Sequence, residues 1–286
     1  MERGKLTQPE RLLKEQFMEL SKSFNIFLQQ VSQPTPLHWH EFYEMCVILG
    51  GTGTNVVNGT AHRLTRGSLF LLTPADIHEI YPDDGGMLEI YNVIFSDEML
   101  NEELKESLFY GRLEHMTVLD EATLQWIEQE YGLIERETRE RRWGQRLIVK
   151  GALERIIIAL LRQEEQPGSL STSRTNLDTI GKVGHTAISR ALIHIHNHFR
   201  EPLTLEAAAR EARLAAGYFS ESFRIATGST FQHYLQNLRL EFAASLLQAS
   251  HLPITEICLA SGFRTLTHFE RVFKAKYGCS PRKYRS

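Results

Sequence analysis

The segment LHWHEFYE carries two histidines and a carboxylate at a spacing that suits the binding of a metal ion or a polar ligand. His38 and His40 are two residues apart, Glu44 follows four residues after His40, and His78 comes later, in TPADIHEI. Residues two apart in a β-strand point to the same face, so these side chains can converge on one site. Three imidazoles and a carboxylate suit Zn, Mn, Fe or Ni, and they can equally hydrogen-bond the hydroxyls of an organic ligand.

Short strands surround these residues. Between Phe24 and Phe95 six segments are rich in β-branched and aromatic residues and are separated by glycines: FNIFLQQV, EMCVIL, TNVVNG, AHRL, SLFLLT and LEIYNVIF. Many short strands at this spacing predict an antiparallel sandwich or a small barrel, which we assign to residues 24–97. Residues 1–23 contain PERLLKEQFMELSK, whose apolar spacing predicts a short N-terminal helical extension.

The pattern becomes helical over residues 98–165. Its strongest part is RLIVKGALERIIIALLRQEE, in which the leucines and isoleucines form a face wider than a coiled-coil seam. Such a face either packs on the barrel of its own chain or is shared with a second subunit, and the sequence leaves both open. Of these two readings we assign the second, a helical region that serves dimerisation, to residues 98–165.

A polar segment separates this region from the C-terminal part of the chain. The stretch from Gln166 to Thr179, QPGSLSTSRTNLDT, predicts a flexible linker, which we place at residues 166–184. Residues 185–286 contain 13 Lys and Arg against seven Glu and no Asp, a net charge of +6, whereas the whole chain has −3. A basic segment behind an acidic body is typical of a DNA-binding module attached to a domain of another kind.

One phrase occurs twice in the basic segment. YFSESFRIATG begins at Tyr218 and HFERVFKAKYG at His268, and both place two phenylalanines at i, i+4 and a glycine five residues later. The spacing puts both rings on one helix face, and the glycine suits a left-handed C-cap. A short apolar helix and a turn precede each phrase, so the pattern predicts two helix-turn-helix units.

The segment between the two units is FQHYLQNLRLEFAASLLQAS, which predicts an amphipathic helix of about 20 residues and about 30 Å. A spacer of this length places two recognition helices about one DNA turn, roughly 34 Å, apart. One chain can then read two successive major grooves of one duplex.

The C-terminal hundred residues resemble the AraC/XylS-type transcriptional regulators. The resemblance rests on IxxICLASGFxxxxHFxRVFKxxxGxSPxxYR, from Ile254 to Arg285. It implies a double helix-turn-helix with recognition helices at residues 216–226 and 266–276. It also implies that these helices, their first turns and their flanks contact DNA through Gly217, Tyr218, Ser220, Glu221, Arg224, Arg264, Thr265, Thr267, His268, Arg271 and Lys274.

The first unit departs from the pattern of the family. Ala215 stands where a Ser or Thr N-cap is expected, Gly217 offers no side chain, and Glu221 brings a negative charge. We therefore expect the second unit to supply more of the affinity, with Arg271 on a guanine and Arg264 and Lys274 on phosphates. Arg224 is expected to be the main basic group of the first unit.

The N-terminal motif resembles the cupin barrel, and the strands from Thr54 to His78 resemble those of the regulators of rhamnose and related carbohydrate use. The resemblance implies a pocket for a sugar or glycoside, with aromatic rings that stack and polar groups that hydrogen-bond. The residues that we assign to this pocket are His38, Trp39, His40, Tyr43, Glu44, His78, Tyr91 and Asn92. We expect no cofactor; a divalent metal on His38, His40, Glu44 and His78 is the alternative.

Several classes of protein are excluded. No run of about 18 apolar residues is present, and the charged N-terminus MERGKLTQPERLLKEQF lacks the apolar core of a signal peptide. No nucleophile elbow, phosphate loop or pair of catalytic acids is found. These observations predict a cytoplasmic protein without enzymatic activity.

The fold class predicted is multidomain α and β: a cupin-like antiparallel barrel, a helical dimerisation region and an all-α double helix-turn-helix. We interpret the chain as a ligand-responsive transcription factor, an activator of carbohydrate-utilisation genes. Its expected partners are double-stranded DNA, a sugar or glycoside, a second copy of the chain and RNA polymerase. Two alternatives remain: a metal-dependent cupin enzyme fused to a DNA-binding tail, and a constitutive DNA binder whose barrel only dimerises.

Overall fold

A computed structural model describes residues 10–18, 23–109, 115–164 and 181–285 of the chain. The strands are β1 (Glu10–Leu12), β2 (Phe24–Val31), β3 (His38–His40), β4 (Tyr43–Gly50), β5 (Gly53–Val57), β6 (Thr60–Leu64), β7 (Ser68–Leu72), β8 (Ile77–Pro82), β9 (Leu88–Phe95) and β10 (His115–Val118). The helices are α1 (Lys14–Phe17), α2 (Glu102–Phe109), α3 (Glu121–Glu140), α4 (Gln145–Glu164), α5 (Gly181–His198), α6 (Leu205–Glu211), α7 (Ala216–Thr227), α8 (Phe231–Ala249), α9 (Ile254–Ala260), α10 (Leu266–Tyr277) and α11 (Pro281–Arg285).

The strands of the described residues form two five-stranded sheets. One has the order β1-β3-β8-β5-β6 and the other β10-β7-β4-β9-β2, and all pairs are antiparallel except β1 with β3. The two sheets pack face to face over an apolar layer to which both contribute, for example Val57 and Ile80 from the first and Ile48 and Phe70 from the second. Among the described residues the sheets share no strand, so the predicted barrel is a sandwich.

Alternation along β4 decides which side chains lie between the sheets. Cys46 and Ile48 point inward, whereas Met45 and Val47 point outward into a second apolar cluster under α3 and α4. Each of these four side chains is almost completely buried, because both faces of this sheet are covered.

Two sequence predictions about element type are wrong, and one boundary shifts. Among the described residues, the predicted N-terminal helix is a strand, β1, followed by one helical turn, α1. β10 interrupts the segment predicted to be entirely helical and pairs with β7, because its alternating residues extend the sheet edge. The predicted linker falls largely outside the described residues, and its last four residues already belong to α5.

The two long helices, α3 and α4, cover the outer face of the second sheet. The carboxylate of Asp120 caps α3 by accepting a hydrogen bond from the Thr123 amide at 2.8 Å. The hydroxyl of Tyr131 donates to the carbonyl of Met45 at 2.9 Å and ties α3 to β4. The apolar face of α4 packs onto its own chain, with Leu153, Ile156, Ile157 and Leu160 fully buried.

The C-terminal helices form two similar units. In each, a pair of phenylalanines packs ring against ring: Phe219 and Phe223 at 5.4 Å, Phe269 and Phe273 at 5.5 Å between centroids. Both α7 and α10 end at a glycine, Gly228 or Gly278, with φ of 70° or 75° in the left-handed region. The duplicated phrase thus folds as the repeat that its spacing predicts.

The helical domain packs against the sandwich through the outer face of β3. The ring of Trp39 meets Phe242 of α8 edge to face at 5.7 Å between centroids, and Trp39 is only 8% exposed. The guanidinium of Arg200 donates to the carbonyl of Pro74 at 3.2 Å and lies over the ring of Phe199. Burial lowers the pKa of Arg200 to about 10. A single apolar cluster therefore spans both domains.

Candidate DNA-binding surface and ligand-sensing site

The second helix of each unit, α7 and α10, presents a polar face to solvent. Each helix buries its phenylalanines, and the opposite face holds the residues that the sequence assigns to DNA contact. Ser220 is half-buried, and the other residues of this set are exposed: Gly217, Tyr218, Glu221, Arg224, Arg264, Thr265, Thr267, His268, Arg271 and Lys274. α7 and α10 each extend one residue beyond the predicted boundary.

The two recognition helices differ in charge. Around α10, Arg264, Arg271 and Lys274 are exposed cations, and the Arg271 guanidinium donates to Nδ1 of His268 at 3.2 Å. On α7 the exposed cation is Arg224, and Glu221 lies one turn before it. The second unit therefore offers more positive charge to a phosphate backbone than the first.

The start of α7 lacks a side-chain cap, as the sequence predicts from Ala215. Thr265, at the corresponding position of α10, is also without a side-chain cap hydrogen bond. The first amides of both helices are therefore not used by a capping side chain. Backbone N–H groups at a helix N-terminus suit a phosphate oxygen.

Five of the predicted ligand residues converge between the sheets: His38, His40, Glu44, His78 and Asn92. Oε2 of Glu44 lies 3.2 Å from Nε2 of His40 and 3.6 Å from Nε2 of His78. The rings of His38 and His78 stand 4.2 Å apart, as expected for residues paired across β3 and β8. The amide of Asn92 donates to Oε1 of Glu44 at 2.8 Å.

Burial and charge shift the pKa values in this cluster. Burial lowers the pKa of His38 to about 3, and the neighbouring His78 acts in the same direction. Burial also tends to raise the pKa of Glu44, but hydrogen bonds and charges from His40 and His78 outweigh it and hold that pKa well below its usual value. The group is thus a buried carboxylate beside an imidazole, His38, that stays neutral.

Trp39, Tyr43 and Tyr91 do not share the interior with the histidines. Strand alternation puts Trp39 on the outer face of β3, where it packs on Phe242. Tyr43 and Tyr91 point away from the interior of the second sheet and stack on Phe95 and Tyr131. The prediction that these three rings line the same pocket as the histidines is wrong, because each is one residue out of phase with them.

A cleft of about 240 Å³ opens between the two domains. Asn58 and Asp76 of the sandwich line one side, and Glu241, Gln248 and Tyr277 of the helical domain line the other. No sequence pattern indicated this cleft, because its walls come from segments up to about 220 positions apart that meet only when the domains dock.

Two exposed recognition helices joined by one long helix, docked on a sandwich that contains a buried polar cluster, define a ligand-responsive, sequence-specific DNA-binding transcription factor. Residues 25–172 match the AraC-like ligand binding domain family, and residues 208–286 match a helix-turn-helix domain family. The chain therefore belongs to the AraC family of transcription regulators. Both matches are to regulator domains, and neither is to an enzyme family.

Relatives align over most of the chain. The HTH-type transcriptional activator RhaR of Mannheimia succiniciproducens is 24% identical over 88% of each chain. The HTH-type transcriptional activator RhaS of Salmonella heidelberg is 28% identical over 87% of each chain. Among solved structures, ToxT from Vibrio cholerae O395 aligns with 92% of this chain and 98% of its own, at 14% identity and a TM-score of 0.41. Among the described residues, no helix is long and apolar enough to cross a membrane.

Proposed function

We propose that this protein activates transcription of carbohydrate-utilisation genes when a small sugar or glycoside binds to it. Support comes from the relatives RhaR and RhaS, which are named as transcriptional activators, and from the resemblance of the sandwich strands to regulators of rhamnose use. As an activator it contacts RNA polymerase while both recognition helices hold one duplex. α8 has 19 residues and is therefore about 28 Å long, a suitable spacer for two successive grooves.

The observation that carries this proposal is the cleft between the domains. Its walls offer carboxylate, amide and hydroxyl groups, the partners that sugar hydroxyls need, and an aromatic ring from Phe242. Glu241, Phe242 and Gln248 belong to α8, the helix that spaces the two recognition helices. A ligand in this cleft therefore contacts both domains and changes the free energy of their docking.

The experiment measures binding of the full-length protein to DNA from upstream of its own gene by fluorescence anisotropy, across a panel of monosaccharides and glycosides. Ala75→Trp fills the cleft from the sandwich side, and Ala61→Trp places the same ring at an exposed position of β6. We expect one sugar to change the affinity of wild type and of Ala61→Trp, while Ala75→Trp binds DNA but ignores the sugar. A sugar response that survives in Ala75→Trp would contradict the cleft as the effector site.

The proposal includes a homodimer, which the surface at the start of α4 supports. Trp143 is 97% exposed and Leu147 71% exposed, and the partly exposed Ile148 lies beside them. Large apolar side chains grouped in this way are typical of an interface with another protein. Sedimentation equilibrium of wild type and of a Trp143→Ser, Leu147→Lys double variant tests this: wild type should be a dimer and the variant a monomer. Equal masses for both would exclude this surface.

A further inference from the structure

We infer that α8 is itself a DNA contact: a pocket between the two helix-turn-helix units takes a backbone phosphate of the DNA segment between the two half-sites. None of the residues that the sequence assigns to DNA contact belongs to this helix, which serves there only as a spacer. The inference goes beyond the proposed function, because it depends neither on the effector nor on RNA polymerase.

The pocket lies between the beginning of α8 and the beginning of α10, and its volume is about 290 Å³. The polar side chains that line this inter-unit pocket include Gln232, His233, Gln236, Arg239 and His268. Among the described residues that line it, none is an Asp or a Glu. A surface that is rich in donors and lacks carboxylates suits an anion that accepts hydrogen bonds.

Hydrogen bonds within the domain fix both imidazoles of the pocket as N–H donors. Nδ1 of His233 accepts from the side-chain amide of Asn237 at 3.2 Å, and Nδ1 of His268 accepts from the guanidinium of Arg271 at 3.2 Å. A ring nitrogen that accepts a hydrogen bond carries no proton, so each neutral ring has its proton on Nε2. Both histidines are exposed, and among the described residues neither Nε2 has a protein acceptor. Both N–H groups are therefore available to a phosphate oxygen.

Two arginines give this region a positive charge that no carboxylate balances. The guanidinium of Arg239 donates to the backbone carbonyls of Phe199 and Glu201, at 2.7 Å each. Burial lowers the pKa of Arg239, and the charge of the exposed Arg264 acts in the same direction. Among the described residues, neither guanidinium forms an ion pair with an Asp or a Glu. An anion in the pocket offsets this repulsion, and DNA supplies one at every phosphate.

The position of the pocket matches the DNA backbone between the two half-sites. α7 ends at Thr227 and α8 begins at Phe231, so the first turns of α8 directly follow the first recognition helix. On the other side of the pocket, His268 belongs to the first turn of α10. When α7 and α10 enter successive major grooves, the minor groove and its two backbones pass between them. The beginning of α8 therefore meets phosphates rather than base edges, which fixes the register of the protein without selecting a sequence.

The test measures DNA binding of the full-length protein by fluorescence anisotropy at several salt concentrations, on the duplex that the protein selects from a random pool. Gln236→Lys adds a charge to the pocket, and Gln29→Lys, at an exposed position of β2, is the matched control. Among the described residues, neither glutamine makes a side-chain hydrogen bond that the substitution would remove. In a second series, uncharged methylphosphonates replace one phosphate at a time, along both half-sites and the segment between them. Circular dichroism checks the fold of each variant.

We expect Gln236→Lys to steepen the slope of log affinity against log salt concentration by about 0.9, and Gln29→Lys to leave it unchanged. Wild type should lose about tenfold in affinity at one methylphosphonate between the half-sites, because a hydrogen bond to a charged group is lost there. Gln236→Lys should lose more than wild type at that same linkage.

Equal slopes in Gln236→Lys and Gln29→Lys would overturn the inference, and so would a wild-type affinity that no replacement between the half-sites changes. Replacements within the half-sites report on α7 and α10 alone, so a failure of this pocket is distinguishable from a failure of groove reading. If Gln236→Lys does not fold, the methylphosphonate series on wild type decides the question by itself.

Discussion

Replacing Trp39 with alanine should uncouple the two domains without unfolding either one. Trp39 lies on β3 of the sandwich, but its ring packs into the apolar cluster of the helical domain, edge to face with Phe242. Leu37 and Ile77 surround it on the sandwich side. In an undocked sandwich this face would be open to solvent, so the ring contributes mainly to docking.

The loss of docking free energy in Trp39→Ala follows from the burial of the ring. A tryptophan that is 8% exposed buries roughly 200 Å² of surface, worth about 5 kcal/mol at about 25 cal/mol per Å². The indole N–H has no hydrogen-bond partner among the described residues, so its removal returns about 1–2 kcal/mol. The net loss of docking free energy is about 3 kcal/mol, roughly a 150-fold change in the docking equilibrium.

Differential scanning calorimetry of the full-length protein measures this effect. Coupled domains of wild type should unfold in one transition, whereas Trp39→Ala should show two, with the helical domain melting first because it loses the larger apolar partner. Leu259→Ala is the control, since the Leu259 side chain is 65% exposed and its loss should change stability by less than about 0.5 kcal/mol. A Trp39→Ala trace that superimposes on that of Leu259→Ala would show that the domains do not dock through β3.

Further predictions concern DNA reading, turn strain and pH. Arg271→Ala should weaken specific DNA binding by about 1–3 kcal/mol and relax the preference at one base pair. Lys274→Ala should instead reduce only the slope of log affinity against log salt concentration, by about 0.9. Binding titrations at several salt concentrations separate the two effects. Gly262→Ala should lower the free energy of unfolding in urea by at least about 2 kcal/mol, because the φ of Gly262 is 82° and the new Cβ would lie 2.8 Å from the Arg200 backbone. Arg213 is exposed and has a φ of 55°, so Arg213→Gly should leave the free energy of unfolding unchanged or raise it by up to about 1 kcal/mol. Burial lowers the pKa of His196 to about 4, below its value in the unfolded chain. The contribution of neutral His196 to the free energy of unfolding is therefore complete above about pH 6.5 and falls by about 2 kcal/mol at pH 5. Urea unfolding of His196→Gln should lack this part of the pH dependence, and a pH profile equal to that of wild type would contradict the prediction.

Sequence reasoning succeeded where a local pattern determines the structure. The phenylalanine pairs with their C-terminal glycines, Gly228 and Gly278, specify a helix, its buried face and its end within eleven residues. The strands β4 and β9 were found because both of their faces are covered, which makes their apolar runs long. In these cases the residues that a side chain packs against lie close in sequence, or any apolar surface can take their place, so the local pattern is sufficient.

It failed where the partner is distant and specific. β1 and β10 are three and four residues long, and only their sheet neighbours, β3 and β7, make them strands. The wrong placement of Trp39, Tyr43 and Tyr91 has another cause: their types suit sugar stacking, but alternation decides the face on which each ring lies. The aromatic side chains suggested sugar stacking, but their positions along the strands place them on the opposite face from the histidines.

The same alternation gives β3 two roles within three residues. His38 and His40 point into the polar cluster between the sheets, and Trp39 between them points into the helical domain. Because successive side chains alternate between the two faces of a strand, three residues are enough to contact both the interior of the sandwich and the helical domain. The β3 backbone therefore connects the buried polar cluster to the surface on which the helical domain docks.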